Sequence, residues 1–152
     1  MIEQAIAASA GFLVAVLWFD LMFDVQVFRH RAAPTVPEGV LASIAAYYRR
    51  VTTTASPMGR LVALVMLVLW VGLVAQAVDG DVPAWVSVVS IPAAAGATGL
   101  AIVRVFGEAR RLGARGDSIE VQSQLARSIF REHLLCLAGM VTVLAVQLIA
   151  AN

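Results

Sequence analysis

The chain has 152 residues, of which 61% are hydrophobic and 14% are charged, and its mean hydropathy is +0.86. A soluble domain carries about 25% charged residues, so this composition excludes an ordinary soluble domain and predicts an integral membrane protein. All eleven basic residues are arginine, and the single cysteine, Cys136, excludes an intrachain disulfide and a multi-cysteine metal site.

The first apolar segment covers residues 5–28 and is long enough to cross a bilayer. No basic stretch precedes it, so we expect a retained first span and not a cleaved signal peptide. Asp20 and Asp24 lie inside this span, four residues apart and therefore on one helix face. A carboxylate in hydrocarbon costs about 2.5 kcal/mol or more, so the pair must face other helices, a water pocket, a cation or a bound proton.

An amphipathic helix is predicted in the connection that follows, over residues 29–57. Thr35-Val36-Pro37-Glu38 has the pattern of a capping box with a first-turn proline. Apolar residues then recur at helical spacing, namely Val40, Leu41, Ile44, Tyr47, Tyr48 and Val51. We interpret Tyr47, Tyr48, Arg49 and Arg50 as a lipid-facing surface, or alternatively as a docking surface for a partner protein.

Three further spans are predicted at residues 58–78, 84–106 and 129–150, and a second long connection at 107–128. Ser56-Pro57 is expected to cap the second span. A tight turn is expected over Asp79 to Pro83, which includes Asp81. Gly113 is expected to end the extension of the third span.

Two more patterns concern the third and fourth spans. Asp117-Ser118-Ile119-Glu120 has the pattern of a capping box that opens the helix of the fourth span. Small residues between positions 90 and 99, around Pro92, predict close helix packing. Gln76 and Gln147 are expected to hydrogen-bond across helices.

The arginines flank only the two long connections. They are Arg29, Arg31, Arg49, Arg50, Arg60, Arg104, Arg110, Arg111, Arg115, Arg127 and Arg131. By the positive-inside rule both connections are cytoplasmic and both termini lie outside. The predicted fold is therefore a single all-α domain, a four-helix transmembrane bundle in a bacterial-type inner membrane, N-out and C-out. Asp24 then lies about 7 Å and Asp20 about 13 Å inward of Arg29, from the helical rise.

Four side chains at the cytoplasmic end are candidate partners of the two acids, and with Asp20 and Asp24 they form the predicted polar cluster: Arg60, Arg104, Arg131 and His133. In a first hypothesis the arginines neutralise the acids and the cluster is purely structural. In a second, the acids bind a proton or a cation, which implies an oligomer because four spans rarely enclose a pathway. In a third, Asp20, Asp24 and His133, with His30 or Glu132, ligate Zn, Mn or non-haem Fe.

These hypotheses lead to two classes of function. The first is an oligomeric proton or cation transport protein, or an accessory subunit of a membrane complex, surrounded by membrane lipid. The alternative is a metal-dependent membrane enzyme or redox subunit. The pattern assigns no catalytic residue and no cofactor. Nucleic acid is not an expected partner, because the arginines follow the membrane edges and form no groove-sized patch.

Overall fold

The computed structural model describes residues 1–54, 56–80 and 82–151, without the side chains of Thr54 and Ser56. The regular structure of this part of the chain is helical. In chain order it comprises α1 (Ile2–Asp24) with a 3-10 extension (Val25–His30), α2 (Glu38–Arg49) with a π-helical turn (Arg50–Thr54), α3 (Ser56–Asp79), α4 (Ala84–Leu100) with a π-helical stretch (Ala101–Val105), α5 (Phe106–Ala114) and α6 (Ile119–Ala150).

Four helical segments are long and apolar enough to cross a membrane. They are Ile2–His30, Pro57–Asp79, Ala84–Ala114 and Ile119–Ala150. Large apolar side chains such as Trp18, Leu64 and Val103 are exposed on their outer faces. An apolar exterior over four long helices is compatible with a multi-pass membrane protein. The predicted all-α class and the four apolar helices are confirmed. The helix of the third span continues to Ala114 and that of the fourth begins at Ile119, close to the extensions expected at Gly113 and Asp117.

Helix α6 is the central element of the bundle, because it packs against both α1 and α4, while α1 also packs against α3. Gly139 of α6 allows a close approach to α4: a Cβ there would lie 2.9 Å from the carbonyl oxygen of Ala93 and 3.1 Å from the Cβ of Ala97. The small residues of α4 therefore serve close packing, as the sequence predicts. Pro92 lies inside α4.

Buried amides join the helices at the end of the bundle far from the arginines. Gln76 and Gln147 exchange two hydrogen bonds of 3.0 Å, and the Gln147 amide also lies 3.4 Å from the Ser90 hydroxyl. Both glutamines are buried, so this pairing satisfies polar groups that lipid could not solvate. The expected hydrogen bond between Gln76 and Gln147 is present in the structure.

At the opposite, arginine-rich end, α2 is folded onto the bundle. Its apolar face packs against α5 and α6 in a core that includes Leu41, Ile44, Leu112 and Ile129. A Cβ at Gly113 would lie 2.8 Å from the backbone nitrogen of Arg49, so α5 and the end of α2 are almost in backbone contact. The amphipathic helix thus buries its apolar face in the protein.

Side chains of α6 hold the connection between α1 and α2 in place. The Ser123 hydroxyl accepts the Val36 N–H at 2.9 Å. The Arg127 guanidinium donates to the carbonyl oxygens of His30 and Ala33, at 3.1 and 2.6 Å. These contacts satisfy backbone groups that a loop leaves unpaired, and they fix where α2 begins.

Two of the predicted helix boundaries were wrong by one residue. The N-cap of α6 is Ser118, whose hydroxyl accepts the Val121 N–H at 3.5 Å, while Asp117 pairs with Arg111 through contacts of 2.7 and 2.8 Å. Helix α5 ends at Ala114, because Arg115 adopts the left-handed conformation with φ +57°; the predicted stop at Gly113 was one residue early.

The other predicted boundaries concern α2, α3 and the turn between α3 and α4. Pro37 is the N-cap of α2, and no side chain of the described residues caps that helix, so the capping box expected at Thr35 does not form. The cap expected at the Ser56 side chain and the turn residue Asp81 lie outside the described residues.

The α4–α6 contact can be tested with Gly139→Ala. The new Cβ would meet the Ala93 carbonyl, and we expect the free energy of unfolding to fall by about 1–3 kcal/mol. Gly96→Ala is the matched control, because within the described part of the chain a Cβ there meets no atom closer than 4 Å; the gain in helix propensity should leave stability unchanged or raise it by up to about 1 kcal/mol. Unfolding by SDS in detergent micelles, followed by circular dichroism, measures both. Equal stability of the two variants would contradict the close contact.

Candidate functional site

Helix α1 presents both acids toward the interior of the bundle. Asp24 is completely buried, and the side chain of Asp20, one turn earlier, is 16% exposed. Both acids lie on the face of α1 that packs against α6 and α3. Because Leu13 and Leu21 are buried on the same face, the two carboxylates also point inward. Each acid therefore needs partners from neighbouring helices.

Two adjacent tyrosines of α2 are the first of these partners. The Tyr47 hydroxyl donates to Asp20 Oδ1 and the Tyr48 hydroxyl to Asp24 Oδ1, both at 2.6 Å. The Phe23 ring stacks on Tyr47 with 4.1 Å between ring centroids, which fixes the direction of that hydroxyl. Burial, and then the nearby carboxylate charge, raise the pKa of both tyrosine hydroxyls. They therefore stay protonated and act as hydrogen-bond donors.

His133 of α6 joins the two acids. Its Nδ1 lies 2.6 Å from Asp24 Oδ2, and its Nε2 lies 3.9 Å from Asp20 Oδ2. The Tyr48 hydroxyl is also 3.4 Å from Nδ1. Because Asp24 faces Nδ1, the N–H at that position donates to the carboxylate, and Nε2 is directed toward Asp20. We call Asp20, Asp24, Tyr47, Tyr48 and His133 the acid–tyrosine cluster.

The arginines predicted to meet the acids have other positions. Arg104 pairs with the buried Glu132 at 3.0 Å and with Glu108 at 3.2 Å. Arg60 and Arg131 are exposed, and within residues 1–54, 56–80 and 82–151 neither makes an ion pair with Asp20 or Asp24. The structure thus brings His133 to the acids and leaves all three arginines outside the acid–tyrosine cluster, because the helix rotations that bury the acids turn those arginines to other faces.

The tyrosines correct a second expectation. Tyr48 is only 2% exposed and Tyr47 is partly buried, with both hydroxyls on the acids. The pair therefore cannot form the surface toward lipid or a partner that was predicted for Tyr47, Tyr48, Arg49 and Arg50. Of this set, Arg49 and Arg50 remain exposed. The sequence contains a signal for the inward position, since Tyr48 continues the apolar stripe of Leu41 and Ile44.

A cavity of about 680 Å³ opens beside the acid–tyrosine cluster. Asp20, Tyr47, Tyr48 and His133 form part of its wall, with Cys136 nearby. Most of the remaining wall is apolar and comes from every helix of the bundle, with Leu13, Leu17, Val62, Met66, Ala97, Ala101, Val105 and Met140 among the lining residues. Arg60 and Arg110 also line it, at the arginine-rich end. The π-helical stretch after α4 borders the cavity, and such stretches occur often at functional sites.

The metal hypothesis finds no support in the geometry. Among the residues that the structure describes, no three His, Cys, Asp or Glu side chains are arranged to hold a metal ion. Asp24 and Asp20 face opposite nitrogens of the His133 ring, so one ion could not bind the imidazole and both acids together. Glu132, an additional candidate, is engaged by Arg104.

No protein-family model, curated protein or solved structure matches this chain. The chemistry open to the acid–tyrosine cluster follows from its contacts. It contains two carboxylates, one imidazole and two hydroxyl donors, so it can accept, hold and pass on protons beside an apolar space.

The two tyrosines offer a matched pair of variants. Tyr48→Phe would leave Asp24 Oδ1 without its donor in a fully buried position, and we expect a loss of about 1–3 kcal/mol in the free energy of unfolding. Tyr47→Phe should cost about 1 kcal/mol or less, because Asp20 borders the cavity and water can replace the hydroxyl. Denaturation in micelles compares the two. A larger loss of unfolding free energy for Tyr47→Phe would contradict the deeper burial of Asp24 relative to Asp20.

Proposed function

We propose that this chain is a small multi-pass protein of a bacterial-type inner membrane whose acid–tyrosine cluster binds and releases a proton beside the cavity. The observation that carries the proposal is the 2.6 Å contact between Asp24 Oδ2 and His133 Nδ1. Both side chains are buried, and an imidazole, not an arginine, is the cationic partner of the acid. An imidazole gains or loses its proton near neutral pH, whereas a guanidinium does not.

The charges of the cluster support this proposal. Two ionised aspartates carry two negative charges, and a protonated His133 supplies one positive charge. Arg104, one of the arginines predicted to neutralise the acids, is instead shared by Glu108 and Glu132. One net negative charge would therefore stay in a poorly solvated place, where an ion costs several kcal/mol. A second bound proton balances the cluster, and Asp20, which borders the cavity, is the position from which it can leave.

A transport-like role, or a role as accessory subunit of a membrane complex, fits this site. By the positive-inside rule, the arginine pattern supports a position of the cluster in the cytoplasmic half of the membrane, with both termini outside. Four helices around one cavity do not make a complete pathway, so we propose that copies of this chain, or a larger complex, supply the remainder. The exposed apolar faces of the four long helices offer the surface for lipid and for such assembly.

The proposed orientation can be tested with single cysteines in the full chain carrying Cys136→Ser. Asp79→Cys and Gly116→Cys place thiols at two exposed positions on opposite ends of the bundle. In intact spheroplasts a membrane-impermeant maleimide should label Asp79→Cys and should reach Gly116→Cys only after lysis. The reverse labelling pattern would contradict the N-out, C-out orientation.

The proton site can be tested with Asp20→Asn, in which the retained carbonyl oxygen still accepts from Tyr47. Infrared spectroscopy of the protein in lipid nanodiscs, titrated between about pH 5 and pH 9, follows the C=O band of protonated carboxyl groups. We expect a titrating band in the wild type, its loss in Asp20→Asn and its retention in the exposed control Asp79→Asn. The free energy of unfolding is measured in parallel. If Asp20→Asn changes only the free energy of unfolding and leaves the titrating band unchanged, the cluster has a structural role.

A further inference from the structure

Two atoms of the acid–tyrosine cluster have no hydrogen-bond partner in the described part of the chain, Asp20 Oδ2 and His133 Nε2. They lie 3.9 Å apart, and both residues line the cavity. The other carboxylate oxygens and the other ring nitrogen are engaged by Tyr47, by Tyr48 and by each other. His133 is only 4% exposed as a residue, and its Nε2 and Asp20 Oδ2 lie at the wall of a largely apolar cavity. A partner that enters from the cavity can therefore hydrogen-bond to these two atoms.

A single ligand atom can reach both positions. An oxygen about 2.8 Å from each would bridge them, because the gap of 3.9 Å is smaller than twice that distance. When Asp20 is ionised its carboxylate oxygen only accepts, so the ligand must then donate to it. With Nδ1–H held by Asp24, Nε2 donates when the ring is charged and accepts when it is neutral. A hydroxyl group meets both cases, since it donates one hydrogen bond and accepts others, whereas an ether cannot donate.

The rest of the cavity defines the remainder of the ligand. Its volume of about 680 Å³ lies in the range of small-molecule sites, which is about 300–1,000 Å³. From the level of Asp20 the wall continues through Leu17 and Leu13 of α1 and, on α6, from His133 to Met140, about 10 Å along each helix. The apolar side chains along this wall fit an apolar body.

We propose that the cavity binds an apolar molecule with one hydroxyl group, such as a lipophilic phenol, whose oxygen lies between Asp20 Oδ2 and His133 Nε2. The inference names a ligand for the proton site proposed above, and it rests on the open atoms and on the shape of the cavity. Asp24, which does not line the cavity, then acts as a positioning residue because it holds the imidazole, and the two tyrosines hold the carboxylates from the cavity wall.

The experiment uses the full chain in lipid nanodiscs and tritiated 4-hexylphenol, with empty nanodiscs to subtract partitioning into lipid. We expect saturable binding of one molecule per chain. The methyl ether 4-hexylanisole should compete at least about tenfold more weakly, because it cannot donate to Asp20. Asp20→Asn should weaken phenol binding by about tenfold or more and leave the anisole unchanged, while Asp79→Asn should bind both as the wild type does.

Four outcomes would overturn the inference. Two are equal affinity of the phenol and the ether, and no saturable binding above empty nanodiscs. The other two are competition stronger than that of the phenol by 4-hexylbenzylammonium, which indicates a cation site, or by 4-hexylbenzoate, which indicates an anion site at Arg60 and Arg110. If Asp20→Asn does not fold, the comparison of the phenol, ether, ammonium and benzoate compounds on the wild-type chain still tests the inference. Failure here is separable from failure of the proton site, because the infrared titration contains no ligand. A chain that titrates a proton and binds no phenol loses this inference alone.

Discussion

The burial of Asp24 is the constraint on which the rest of this structure depends. A carboxylate removed from water costs several kcal/mol unless its oxygens are hydrogen-bonded. Tyr48 occupies one oxygen and His133 the other, both at 2.6 Å, and they come from α2 and α6. The acid is therefore tolerated only when three helices have assembled with the correct rotation, so this polar contact specifies the packing of the apolar faces around it.

The same constraint explains where α2 lies. An amphipathic helix with tyrosines and arginines can rest among lipid headgroups, and its pattern alone does not distinguish that position from docking on the protein. Here the apolar stripe of Leu41, Ile44 and Tyr48 closes the arginine-rich end of the bundle, and the tyrosine hydroxyls reach the aspartates. Hydrogen bonds to buried carboxylates are stronger than those to water-exposed headgroups, which favours the folded-in position.

The sequence was sufficient for the helices and only partly sufficient for the site. An apolar run of about 20 residues has one common structural solution in a bilayer, so the four long helices could be predicted. The cost of a carboxylate in hydrocarbon likewise predicted that Asp20 and Asp24 face inward, with His133 within reach. The choice between arginine and tyrosine partners depends on how each helix is rotated against its neighbours, which hydropathy does not encode. These helix rotations leave Arg60 on an exposed face and bury Tyr48.

Two adjacent residues of α6 contact different charged groups. Glu132 faces Arg104, and His133, one position later and about 100° around the helix, faces the aspartates. Had Arg104 reached Asp20, its permanent charge would hold that acid ionised and leave no reason for a proton to bind. Because Glu108 and Glu132 engage the arginine, the side chain that pairs with Asp24 is a histidine, the residue type whose ordinary pKa lies closest to neutral pH. In the proposed function the charge of the acid–tyrosine cluster then changes when a proton binds, whereas the charges of Arg60 and Arg110 in the same cavity wall stay fixed.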